Sequence, residues 1–148
     1  MISGRSSHGI AYLNNKIYVV GGYGDKHIMT NKCERFNLST LKWERVGSMN
    51  HPAASLALCS FNDRYLYKFG GIGEGLEADG GVLNSYIEKY DMQEDVWEII
   101  DPTIKNANGL NSKITNEFCL LSTSAAIQVA GDRIFVFGGY HEDNSGSD

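Results

Sequence analysis

The sequence is short of proline, cysteine, basic charge and long apolar runs, and each shortage excludes a class of protein. Two prolines in 148 residues rule out a collagen-like or proline-rich rod. Three cysteines, Cys33, Cys59 and Cys119, cannot all pair within one chain and have no metal-ligand spacing. A disulfide scaffold is therefore excluded, and a reducing, cytoplasmic setting is expected. No stretch approaches the roughly 20 apolar residues of a membrane span, and residues 1–7 lack the apolar core of a secretory signal. Lysine and arginine total 13 against 18 acidic residues, a net charge of −5. With no basic patch in view, nucleic acid is not an expected partner. The four histidines, His8, His27, His51 and His141, form no HxH or HxxxH pair, so neither a metal nor another cofactor is expected. Helical spacing of apolar residues is missing as well, and almost no helix is expected.

Glycine and aromatic residues, by contrast, are plentiful, with 17 glycines and an aromatic fraction of 11%. An apolar fraction of 42% and a charged fraction of 21% are those of a soluble globular chain, here long enough for one domain. A six-residue phrase recurs as Ile17-Tyr18-Val19-Val20-Gly21-Gly22, Leu66-Tyr67-Lys68-Phe69-Gly70-Gly71 and Ile134-Phe135-Val136-Phe137-Gly138-Gly139. Each copy is a run of β-branched and aromatic residues, suited to a pleated surface and stopped by two glycines that allow positive φ or a close backbone approach. Asn14-Asn15, Asn62-Asp63 and Gly131-Asp132 precede the three copies and suit tight primed turns. Each unit thus opens with a β-hairpin. The first and third copies align without a gap, and the second carries one extra residue in its turn.

A second hairpin follows in two of the units. Glu34-Arg35-Phe36-Asn37 is echoed by Glu88-Lys89-Tyr90-Asp91, and a tryptophan stands seven residues beyond each aromatic, Trp43 after Phe36 and Trp97 after Tyr90. Four strands per unit at a period near 50 residues is the pattern of propeller blades. The expected organisation is blade one over 5–48, blade two over 52–101, a long inter-blade loop over 102–118, and the first half of blade three over 119–148. About two and a half blades cannot close a ring, since propellers need about four to eight. Missing blades of the same protein, or other chains, are expected to complete it.

These residues resemble the kelch repeat. Its pattern of a double glycine, a Glu-x-aromatic-Asp phrase and a later tryptophan is matched by Gly21-Gly22, Phe36 and Trp43, and again by Gly70-Gly71, Tyr90 and Trp97. Gly138-Gly139 supply half of it. The resemblance implies an all-β, kelch-type β-propeller that binds proteins through loops on rigid blades and carries no catalytic chemistry. A structural or adaptor subunit of a cytoskeletal or ubiquitin-ligase assembly is the alternative, and a kelch-propeller metalloenzyme a more remote one. It also implies that positions after the glycine pairs and at blade starts face one mouth, which nominates Arg5, Tyr23, His27, Tyr140 and His141 as partner-binding residues. The arginine that opens unit one is replaced by His51-Pro52-Ala53 in unit two and by Ser122-Thr123 in unit three, so an arginine-rich grip on acidic peptides is not expected. Trp43 and Trp97 are expected in the blade core, because periodic aromatics pack. Gly71-Ile72-Gly73-Glu74-Gly75 lacks the spacing and the following helix of a phosphate loop.

Overall fold

The computed structural model describes residues 1–73, 82–83, 86–100, 103–105, 111–113, 125–129 and 133–139. Among them there is no α-helix, and the only helical turn is a short 3-10 segment at Asp25–His27. The first sheet is a four-stranded antiparallel meander of β1 (Gly9–Leu13), β2 (Lys16–Val20), β3 (Cys33–Asn37) and β4 (Lys42–Val46). The second has the same design, built from β5 (Ala57–Phe61), β6 (Tyr65–Phe69), β9 (Ile87–Asp91) and β10 (Val96–Ile100). A short pair, β7 (Ile72–Gly73) with β8 (Val82–Leu83), lies within the β6–β9 connection. The third repeat contributes the hairpin of β13 (Ala125–Val129) and β14 (Arg133–Phe137). The opening strands stand side by side, β1 packed on β5 and β5 on β13. Separate four-stranded sheets stacked through successive first strands are blades, not one continuous sheet.

Local sequence explains the elements. Asn14 and Asn15 sit at φ 47° and 58°, and Asn62 and Asp63 at 48° and 50°, the left-handed turn geometry that Asn and Asp tolerate. Leu13 pairs with Lys16 across a two-residue connection, whereas Phe61 pairs with Tyr65 across three residues.

Two expectations need correction. The third hairpin pairs Val129 with Arg133 and Ala125 with Phe137, so it follows the three-residue pattern of the second copy and not the gapless match to the first. Slipping β13 by one residue would turn its side chains to the opposite faces of the hairpin. The observed register keeps Ile127 opposite Phe135 and leaves Gln128 to exchange hydrogen bonds with Asn62, at 3.1 Å from the Asn62 N–H and 3.0 Å to its Oδ1. Secondly, the stretch 102–118 is not all loop, since β11 (Thr103–Lys105) and β12 (Asn111–Lys113) pair within it. Thr103 and Ile104 are β-branched, but the apolar periodicity of the segment is too weak to announce a strand.

The core lies between the first two sheets. One face of sheet one supplies Leu13, Tyr18, Val20 and Cys33, and the facing side of sheet two supplies Leu58, Leu66, Tyr90 and Trp97. Met49, Ala53 and Leu56 from the connection fill the gap. Tyr18 and Tyr90 meet at 5.9 Å between ring centroids, and the Trp97 indole N–H donates to Gly47 O at 2.9 Å. Trp97 is 5% exposed. Trp43, its repeat partner, is only half-buried against Phe36, at 5.2 Å. Both tryptophans lie on the same face of their sheets, but that face of sheet two meets sheet one, whereas that face of sheet one is turned away from sheet two.

Candidate functional site

A cleft of about 390 Å³ lies at the end of the blades where the chain enters sheet one. Its walls come from Ser3–Arg5, from the β2–β3 connection and from Pro52. Two glycines bring these segments together. At Gly21, φ +63°, a Cβ would stand 2.3 Å from Ala53 O, and at Gly22, φ +95°, 2.5 Å from Ser6 O. Only glycine fits such approaches to fixed backbone atoms. Beyond them Tyr23 bridges Ser6 and Met29 in short antiparallel contacts. The loop then closes on itself, with Gly24 N–H donating to Ile28 O at 2.9 Å and Thr30 N–H to Gly22 O at 3.0 Å. Lys26 and His27 take φ 56° and 57°, and Ile28 at the rim is 61% exposed.

Beneath the cleft lies a repeated carboxylate cap. Glu34 accepts the Ile2 N–H at 2.7 Å and the Ser3 N–H at 3.1 Å. In unit two Glu88 accepts the Asn50 N–H at 2.7 Å and the His51 N–H at 3.3 Å. A buried carboxylate needs such donors to be tolerable. The first copy adds a cation: Arg5 reaches Glu34 Oε1 at 2.7 Å and donates to Gly21 O at 3.1 Å and Lys32 O at 2.7 Å. In the second copy Ala53 replaces Arg5, while the buried Lys68 stands opposite Glu88 in the ladder and donates to Tyr86 O at 3.0 Å. His51 stacks on Tyr86 at 4.1 Å.

The nominated residues fare differently. Arg5 stands in the cleft wall, with its side chain 1% exposed and bonded to Glu34 and two carbonyls. Tyr23 is half-buried and His27 exposed, both on the cleft loop. Tyr140 and His141 lie outside the described residues. Sequence reasoning missed Ile28, an apolar residue in a polar loop, and it missed the capping role of Glu34 and Glu88, whose signal was their shared place in the repeat.

Titration behaviour indicates packing, not reactivity. Burial pushes the Cys33 and Cys59 thiols up to about 12, so both are protonated and poor nucleophiles at neutral pH. Burial, and then the charge of Arg5, lowers the His8 pKa. Among the described residues no three His, Cys, Asp or Glu side chains are grouped to hold a metal ion, and no helix is long and apolar enough to cross a membrane.

A four-stranded meander repeated with a glycine-pair exit, a capping glutamate and a core aromatic pair defines a β-propeller blade protein. The chain belongs to the kelch-repeat family: residues 4–50 match the Kelch motif. It is 33% identical over 113 residues to Kelch-like protein 40 of Xenopus laevis, covering 74% of this chain and 18% of that protein. It is 31% identical over 99 residues to alpha-scruin of Limulus polyphemus, covering 63% of this chain and 10% of that protein. A third relative, Kelch repeat protein M-T8 of Myxoma virus, is 39% identical over 56 residues, covering 38% of this chain and 11% of that protein. The chain thus spans between 10% and 18% of the length of these relatives.

Proposed function

We propose that the chain is a non-catalytic protein-interaction module that presents the cleft loop to a protein partner. The observation that carries this reading is the cleft itself. Ile28 on its rim and the neighbouring His27 are exposed on a loop tied by its own backbone hydrogen bonds to rigid strands. A preordered loop loses little entropy on binding, and an exposed aliphatic side chain beside a concavity supplies an anchor. Kinship with kelch-like proteins and scruin is in keeping with an interaction or adaptor role. Cytoplasmic residence within a larger assembly, cytoskeletal or linked to a ubiquitin ligase, belongs to the same proposal. So do blade limits of 5–48 and 52–101, with 119–148 opening a third blade.

Quantitative affinity purification from cells, comparing wild type with Ile28→Asp and His27→Ala, tests it. A partner lost with Ile28→Asp, while the thermal midpoint stays that of the wild type, is the expected result. A partner set unaffected by both substitutions would overturn the assignment of this loop.

A further inference from the structure

We propose that the partner segment received by the cleft loop is an extended peptide, which adds as a strand beside Met29 and exchanges backbone hydrogen bonds with it. The inference rests on the reading of that loop as the partner-facing one, and it names the kind of segment the loop takes.

At the cleft the chain builds a small ladder of three segments. Ser6 and Tyr23 exchange two backbone bonds, at 2.9 Å and 2.8 Å, and Tyr23 in turn stands opposite Met29. The bonds from Gly24 N–H to Ile28 O and from Thr30 N–H to Gly22 O flank that second pairing. Tyr23 and Met29 are therefore a non-hydrogen-bonded antiparallel pair, in which the N–H and C=O of the two residues point away from each other. Those of Tyr23 are taken up by Ser6. Those of Met29 point to the opposite side, and neither has a hydrogen-bond partner among the described residues. Ile28, Met29 and Thr30 all line the cleft.

This edge is open for a reason internal to the chain. The segment after β4 stays beside the segment before β3 as far as Asn31, whose O accepts the Met49 N–H and whose Nδ2 donates to Met49 O, both at 2.9 Å. At Asn50 the chain leaves that line, because Glu88 of sheet two holds the Asn50 N–H at 2.7 Å and its Nδ2 at 2.9 Å. Met29 is left without the strand that would have continued past Met49. The edge lies in the plane of the ladder, whereas sheets one and two pack through their faces, so the stacking of repeats does not use it. Unit two builds the same ladder: Ala54 and Ile72 exchange bonds at 2.8 Å and 2.7 Å, and Leu83 pairs with Ile72 in the place of Met29.

An open donor and acceptor on one residue of a cleft wall match the backbone of an added strand, which supplies both partners at the right spacing. The peptide residue opposite Met29 must carry its own N–H, which excludes proline there. A residue beside it lies across from Ile28, 61% exposed, so an aliphatic side chain is favoured at that position. Met49 closes the edge at Asn31 and fixes where the added strand stops.

Random linear peptides displayed on phage, selected on the 148-residue chain, supply the probe, and calorimetric titration compares their binding to wild type, Met29→Ala, Met29→Pro and Ile28→Asp. Met29→Pro removes the donor at the cost of no internal hydrogen bond, and Ile28, at φ −82° and ψ 129°, already has the backbone that precedes a proline. Its thermal midpoint is expected to match that of Met29→Ala. The selected peptides are expected to bind Met29→Pro at least about tenfold more weakly than Met29→Ala, which keeps the N–H, and to slow hydrogen exchange at the Met29 amide of the wild type. Binding lost with Ile28→Asp but equal for the two Met29 variants would overturn strand addition and leave the loop as the contact. Binding undiminished in all three variants would overturn both readings. If Met29→Pro does not fold, the wild-type exchange rate decides, and a Met29 amide unaffected by peptide overturns the proposal, as does a selection that yields no binding peptide.

Discussion

A buried carboxylate is costly unless its oxygens are occupied, and Glu34 occupies both with the Ile2 and Ser3 N–H groups and with Arg5. Replacing it by alanine strands a buried guanidinium, and breaking such a pair costs about 3 kcal/mol. Glu34→Ala is therefore expected to lower the urea midpoint sharply with little change in m-value. His8 gives a pH signature. Its folded-state pKa lies below the ordinary 6.5 because burial and Arg5 disfavour the charged form. The unfolded chain then takes up a proton that the folded chain refuses, so stability is full above 6.5 and declines as pH falls below it toward the folded value. His8→Gln should flatten that decline in a series of thermal midpoints between neutral and mildly acidic pH.

At the scale of elements, the glycine pairs separate conformational strain from steric exclusion. Gly22→Ala meets both a φ of +95° and a Ser6 oxygen at 2.5 Å, and is expected to cost about 3 kcal/mol. Gly138→Ala meets a φ of +68° but no atom of the described residues within 4 Å, and should cost about 1 kcal/mol. Equal losses in chemical denaturation would contradict this account. The strands, the primed turns and the role of the glycine pairs as strand exits were legible in the residues, because side-chain alternation and positive φ are local properties. The register of the third hairpin was not. Gly131-Asp132 resembles Asn14-Asn15 as turn chemistry, yet the pairing is decided by which face Ile127 and Gln128 must occupy.

For the molecule as a whole, the two repeat tryptophans measure what a neighbouring blade contributes. Trp97, sealed between sheets and bonded to Gly47 O, is expected to cost about 4 kcal/mol when changed to alanine. Trp43, half-buried on the outer face of sheet one, should cost about half as much. Differential scanning calorimetry of the two variants checks the ordering, and an equal loss would mean that the outer face of sheet one is covered in solution.

The residues themselves determined the all-β class, the repeat and its strand composition, since each depends on the side-chain period and turn chemistry of a few neighbours. The tertiary structure alone decided that Arg5 is sequestered and Ile28 presented. It also decided that Trp97 is core while Trp43 borders an open face. Burial depends on what packs from across the fold, and a repeat reads alike whether or not a neighbour stands against it.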